Sequence, residues 1–184
     1  MKLGVRVRWT LCVLPMFLAH EALAEEGSMA TAGDYIVQGE QMLRVGNQLG
    51  AAFKFERALE RDPKNINAYV KLAHAYTEMG NTYAVYFSKA ESTYARMAAL
   101  AGKENLEYRK GWAKLSLAQW NVDGAIAIYD ELAAEHPDSC EYLMLLSEAQ
   151  RLKGLQIQEA EGRDASISQL DVAEKTVRKA METC

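Results

Sequence analysis

A repeated order of small, aromatic and proline residues runs through residues 34–184, and it constrains the fold more than any other feature of the sequence. Repeats of this kind build stacked folds, because one unit cannot bury its own apolar face and its neighbours must cover it. Two copies have a similar proline-containing tetrapeptide, DPKN at 62–65 and HPDS at 136–139. Pro63 and Pro137 are 74 residues apart, which is two periods of about 34 residues plus a few extra ones. The sequence therefore predicts an array of stacked units.

The residue types inside each copy predict α-helices packed in pairs. Small residues such as Ala51 and Ala73 let two helices approach closely at their crossing. Large residues such as Phe55 and Tyr76 fill the space beside them. No stretch of the sequence alternates apolar and polar residues over the length of a strand, so we expect no sheet.

Glycines and prolines mark where we expect these helices to end and begin. Gly46, Gly80 and Gly154 follow helical runs and suit the left-handed residue that ends a helix. Pro63 and Pro137 are predicted in the first turn of the helices that follow, where proline is tolerated.

These spacings resemble the tetratricopeptide repeat family over residues 32–184. The first copy has the small, aromatic and proline positions of the family in register, whereas the other three copies are degenerate. Trp120 stands where the turn between the two helices normally has glycine, and Ser116 and Gln150 replace the usual aromatic residue. The resemblance implies an all-α fold, a right-handed superhelical array of about four antiparallel helix hairpins.

Two insertions depart from the family's pattern. Five extra residues around 82–89 are predicted to lengthen the second helix of the second copy. About fourteen extra residues at 155–168 are predicted to interrupt the fourth copy.

Residues 1–24 have the three parts of a cleavable export signal. Three basic residues precede a mostly apolar stretch at 9–19, and an Ala-Leu-Ala tripeptide ends at residue 24. The apolar stretch is shorter than the about 20 residues that a membrane-spanning helix needs. We predict cleavage after Ala24, a flexible lead-in at 25–33, a repeat domain at 34–184 and a periplasmic or secreted protein. Retention of the segment as a membrane anchor is the alternative.

Cys140 and Cys184 are the two cysteines that remain after the predicted cleavage. In an oxidising compartment a lone pair of thiols usually forms a disulfide. Cys140 opens the first helix of the last hairpin and Cys184 ends its second helix, so an antiparallel hairpin brings them together. The bridge would close a 45-residue loop, which corresponds to about 4 kcal/mol in the chain-entropy model. Two unrelated thiols or an intermolecular bridge are the alternatives.

Candidate catalytic and metal-binding residues are sparse. His74 and His136 are the histidines outside the predicted signal, and neither has the spacing of a metal ligand. Phosphate-binding glycine loops and nucleophile elbows do not occur in the sequence. The net charge of −4 argues against a nucleic-acid partner. We predict no enzymatic activity, no cofactor and no metal.

The resemblance implies that the first helices of the repeats line a concave groove for a peptide or protein segment. By register with the family, the groove residues would be Ile36, Glu40, Leu43, Arg44, Asn67, Val70, His74, Thr77, Lys110, Lys114, Leu117, Met144, Glu148 and Arg151. One version of this groove grips a C-terminal carboxylate with lysines and asparagines. Ile36 and Glu40 replace the first lysine and asparagine, which argues against that version.

Two aromatic features lie outside this groove. Trp120 stands at a turn, and Tyr83, Tyr86 and Phe87 cluster near the first insertion. For both features, packing against the inserted segments is favoured over a contact with a partner.

The predicted function is a non-catalytic scaffold or adaptor in the cell envelope that binds a protein or peptide partner. One alternative is a small-ligand binder that uses 155–168 as a lid. The other is an accessory subunit of a secretion, pilus or transport complex that acts mainly through self-association.

Overall fold

A computed structural model describes residues 30–183 of the chain. These residues form eight α-helices and no strand, which confirms the predicted all-α class. The helices are α1 (Ala32–Arg44), α2 (Gln48–Arg61), α3 (Ile66–Gly80), α4 (Val85–Ala101), α5 (Leu106–Ala118), α6 (Val122–Glu135), α7 (Cys140–Glu161) and α8 (Arg163–Thr183). The predicted signal peptide, most of the lead-in and Cys184 lie outside the described residues.

Polar side chains fix where most of the helices begin. The Thr31 hydroxyl accepts from the Asp34 N–H, and the Asp34 carboxylate accepts from the Thr31 N–H, so α1 begins two residues before the predicted domain start. Four other helices have an asparagine whose side chain accepts from the N–H three residues on, at 2.8 to 3.2 Å. These contacts satisfy N–H groups that the start of a helix leaves without a helical acceptor. The four asparagines are Asn47, Asn65, Asn105 and Asn121.

The helices pack as four consecutive hairpins, α1 with α2, α3 with α4, α5 with α6 and α7 with α8. Each second helix also packs against the first helix of the next hairpin, so one hairpin covers the apolar face of another. The small residues Ala51, Ala73 and Ala113 are fully buried in this stack, as are the large Phe55 and Tyr129. The predicted helical solenoid is confirmed.

The glycine prediction holds at one of its three positions. Gly46 has a φ of 75° and ends the first helix, whereas Gly80 is the last residue of α3 and Gly154 lies inside α7. A Cβ at Gly80 would collide with the ring of Phe87, and a Cβ at Gly154 would lie 2.5 Å from Leu170 Cδ2. The prediction is wrong for these two glycines, because close helix contacts, rather than a change of chain direction, require them.

The prolines lie in turns that precede the helices. The Asn65 N–H donates to the Asp62 carbonyl at 3.1 Å, which makes Pro63 the second residue of a β-turn. Pro137 has the same place in the turn before α7. The predicted position in the first helical turn is therefore wrong for both, because α3 and α7 begin three residues later.

The second insertion continues the last hairpin and does not interrupt it. α7 runs to Glu161 and α8 begins at Arg163, with Gly162 (φ 95°) between them. These helices have 22 and 21 residues, against 13 to 17 in the other six. Residues 155–168 therefore lengthen two paired helices, and the predicted interruption is wrong.

Trp120 has the left-handed backbone that glycine has in the equivalent turn of the first hairpin. Its φ is 61°, close to the 75° of Gly46, and in both turns the N–H donates to the carbonyl three residues earlier. A side chain in this conformation costs about 1–2 kcal/mol. The indole is 65% exposed, as is Tyr83, so the packing interpretation is wrong for these two side chains. Tyr86 and Phe87 are half-buried against the core.

Candidate protein-binding surfaces

The predicted groove residues all lie on α1, α3, α5 and α7, the first helices of the four hairpins. We call the surface that they form the first-helix face. Twelve of the fourteen side chains are half-buried or exposed. The ninth residue of each helix forms a line across this face, and the four side chains of the line are Glu40, His74, Lys114 and Glu148.

Two predicted groove residues do not reach the surface. Ile36 is 8% exposed and packs in the core cluster, and Thr77 is 5% exposed. The Thr77 hydroxyl donates to the Ala73 carbonyl one turn earlier, at 2.9 Å. Both side chains support the face from below.

Ion pairs connect neighbouring hairpins across the first-helix face. Lys71 Nζ lies 2.6 Å from Glu40 Oε1 and joins α3 to α1, and the pair holds the pKa of the Glu40 carboxyl below its usual range. Lys110 Nζ lies 2.6 Å from Glu141 Oε1 and joins α5 to α7. These pairs fix the positions of charged side chains at both ends of the face.

His74 lies at the centre of the line. Burial lowers the pKa of its imidazole below 6.5, Glu78 opposes that shift, and the charges of Lys114 and Lys71 add to it. The imidazole is therefore neutral at pH 7. Within residues 30–183, Lys114 forms no ion pair, which leaves its charge available to a partner.

A slot that the sequence analysis did not predict lies between α2 and α4, and we call it the α2–α4 slot. Its volume is about 750 Å³, and Leu72 and Tyr76 of α3 form its floor. Because successive helical residues are about 100° apart, these two side chains point away from His74 and the first-helix face. The Tyr76 hydroxyl donates to Glu56 Oε1 at 2.5 Å, and burial raises the tyrosine pKa.

Charges of opposite sign line the two walls of this slot. Glu56 and Glu60 lie on the α2 wall, and Lys89 and Arg96 lie on the α4 wall. The spacings of four and seven residues place each pair on one helix face. The spacing of these charges is visible in the sequence, but it indicates a binding site only when α2 and α4 are known to be neighbours.

The described part of the chain has no group of three or more histidine, cysteine, aspartate or glutamate side chains placed to hold a metal ion. None of the eight described helices is both long and apolar enough to cross a bilayer.

Comparison with protein families finds the tetratricopeptide repeat at residues 54–84, from the middle of α2 to the turn after α3. No curated protein matches the chain.

Solved structures share the fold at low sequence identity. A tetratricopeptide repeat protein from Parabacteroides merdae ATCC 43184 matches with a TM-score of 0.59 and 12% identity, over 84% of this chain and 73% of that chain. The MamA protein matches with a TM-score of 0.50 and 17% identity, over 83% and 91%. BtubC (BKLC) from P. vanneervenii matches with a TM-score of 0.53 and 21% identity, over 82% and 64%. At these identities the likeness shows the fold alone.

Proposed function

Because the chain contains a tetratricopeptide repeat within a solenoid of that type, we propose that it is a non-catalytic scaffold that binds a segment of a partner protein along the first-helix face. The observation that carries the proposal is the line of side chains Glu40, His74, Lys114 and Glu148, which crosses all four hairpins at equivalent positions. Tetratricopeptide repeats serve in general as non-catalytic interaction modules.

The face offers a partner both apolar contacts and fixed charges. Val70 and Leu117 are half-buried beside the line, and Met144 is 61% exposed at its end. A partner segment would bury its apolar side chains against these residues. Lys114, neighboured by a neutral His74, would select an acidic group and fix the register of the segment.

The proposed location is the cell envelope. Support comes from the basic, apolar and small-residue parts of the segment at 1–24, and from Cys140 and Cys184, which an oxidising compartment would join. Expression in a bacterium followed by N-terminal sequencing of the periplasmic fraction tests this. A first residue of Glu25 supports export with cleavage, and an intact Met1 in the membrane fraction supports retention as an anchor, whereas an intact Met1 in the cytoplasmic fraction contradicts the envelope location.

The binding proposal can be tested by site-specific photo-crosslinking. A photo-reactive amino acid introduced at Lys114 should give a discrete adduct with a partner in native extract, identified by mass spectrometry. The matched control carries the same group at Lys64, an exposed lysine in the turn before α3. Adducts that form equally at both positions, or at neither, contradict binding along the first-helix face.

Self-association is the second candidate function, and the last helix provides its support. Val177 and Met181 are one turn apart on α8 and are 42% and 75% exposed, and no described helix follows α8 to cover them. Size-exclusion chromatography with light scattering would detect a dimer that Met181→Glu dissociates. A monomer at all concentrations contradicts this candidate.

A further inference from the structure

The α2–α4 slot is long and open, as a site for a peptide must be. Its α4 wall extends from Val85 to Arg96, which is about 16 Å at 1.5 Å per helical residue. About five residues of extended chain span that distance. Leu59, Leu72 and Val85 give the slot an apolar lining beneath its charged rims.

The charges of the two walls do not neutralise each other. Lys89 and Arg96 form no ion pair within residues 30–183, and on the opposite wall Glu60 pairs with Arg57 of its own helix at 2.6 Å. Lys89 Nζ instead lies 5.3 Å from the ring centre of Tyr76. The two cations of the α4 wall thus lie more than 4 Å from the carboxylates of the α2 wall, and their charges are available to a guest.

Aromatic rings hold these cations in place. Lys89 Nζ is also 5.3 Å from the ring centre of Tyr86, which stacks on Tyr76, and the Arg96 guanidinium lies 5.1 Å from the Tyr69 ring. Contacts between a cation and an aromatic face orient the charge without cancelling it. The α4 rim therefore presents two oriented positive charges.

A second slot of the same construction lies at the other end of the array, and we call it the α6–α8 slot. It is lined by Asp130 on α6 and Lys179 on α8, and its volume is about 240 Å³. The Thr176 hydroxyl donates to Gln150 Oε1 at 2.7 Å and so joins its floor to one wall. The α2–α4 slot is therefore about three times larger than its equivalent at the other end of the array.

We propose that the α2–α4 slot is a second docking site, separate from the first-helix face, for a short amphipathic peptide segment of a partner protein. The segment places apolar side chains on Leu59, Leu72 and Val85. A basic side chain faces Glu56 on α2, and an acidic side chain faces Lys89 and Arg96 on α4. This charge complementarity fixes the direction in which the segment lies.

Selection from a phage-displayed library of random dodecapeptides tests the proposal on the full chain. Enriched peptides should contain an apolar centre with at least one acidic and one basic residue. Fluorescence anisotropy then gives the Kd of the best peptide. We expect the double variant Lys89→Glu, Arg96→Glu to weaken binding about tenfold or more.

Two further variants separate this site from the first-helix face and from a general loss of folding. Ser92→Trp fills the slot from an exposed position and should abolish binding while the circular dichroism spectrum stays unchanged. Lys114→Glu alters the first-helix face and should leave the Kd unchanged. No enriched peptide, or a Kd that responds to Lys114→Glu and not to the slot variants, overturns the proposal.

Discussion

The α2–α4 slot and the α6–α8 slot occupy equivalent places in the first two and the last two hairpins. Glu56 corresponds to Asp130 on the first wall, and Thr93 corresponds to Thr176 on the second. Both slots thus have an acidic first wall and a second wall with a threonine and a cation. Their volumes nevertheless differ about threefold, 750 against 240 Å³.

The floor residues of the two slots make different contacts. Tyr76 donates to Glu56 on the α2 wall and supports Lys89 with its ring face, whereas Gln150, 74 residues later, accepts from Thr176 on the α8 wall. The helical framework thus repeats at the two ends of the array, while the side chains that line the equivalent slots differ.

The largest loss of stability is expected from the buried aromatic ring that each end of the array has on its first wall helix, Phe55 on α2 and Tyr129 on α6. Phe55 is fully buried, and Phe55→Ala should lower the free energy of unfolding by about 3–5 kcal/mol through loss of burial and creation of a cavity. Chemical denaturation measures the change. Phe53→Ala is the control, because that ring is 54% exposed on the same helix and its loss should cost about 0.5 kcal/mol or less. Equal losses in both variants contradict this account of the core.

The predicted disulfide would stabilise only the last hairpin, at the end of the array that holds the α6–α8 slot. If Cys140 and Cys184 are joined, Cys140→Ser should lower the free energy of unfolding by about 2–4 kcal/mol, because the unfolded chain regains freedom. Denaturation with and without reductant measures this, and reductant should not weaken the variant further. Intact mass under non-reducing conditions that corresponds to two free thiols would show the prediction to be wrong.

A smaller effect of opposite sign is expected at Tyr129, the counterpart of Phe55. Among the described residues, its buried hydroxyl has no hydrogen-bond partner. Tyr129→Phe should therefore raise the free energy of unfolding by about 1 kcal/mol, because it removes a desolvated polar group and keeps the ring. Thermal and chemical unfolding test the sign. A loss of stability would show that the hydroxyl is satisfied in solution.

An effect of similar size is expected for the hydrogen bond between Thr176 and Gln150 in the α6–α8 slot. Gln150→Ala removes the acceptor for Thr176 and should cost about 1 kcal/mol, because the threonine can still donate to the Val172 carbonyl at 3.1 Å. Gln158→Ala, at an exposed position of the same helix, is the control and should change stability by about 0.5 kcal/mol or less. If the two variants lose equal stability, the Thr176–Gln150 hydrogen bond does not stabilise the fold.

Much of the array could be predicted from the sequence because its signals are local and periodic. Ala51, Phe55 and Ala73 recur at the spacing of packed helices, and all three are buried as predicted. The turn with Trp120 was also recognisable, since the repeat places it where glycine is usual. The roles of Gly80 and Gly154 were not, because their contacts with Phe87 and Leu170 depend on how two helices pack against each other.

The residues of the first-helix face were likewise only partly predictable from the sequence. By the register of the repeat, His74, Lys114 and Glu148 belong to the predicted groove, and each is exposed at the ninth residue of its helix. It could not reveal that Ile36 and Thr77 are covered, because burial depends on the neighbouring hairpins.

The sequence by itself determined the all-α class and the pairing of helices into hairpins, since each follows from a spacing of a few residues along one helix. Only the tertiary structure decided that 155–168 lengthens the last hairpin and that a slot opens between α2 and α4. Both outcomes depend on contacts between helices, α7 with α8 in the first case and α2, α3 and α4 in the second. Glu56 and Lys89 are ordinary surface charges in the sequence, and packing on α3 makes them opposite walls of one site.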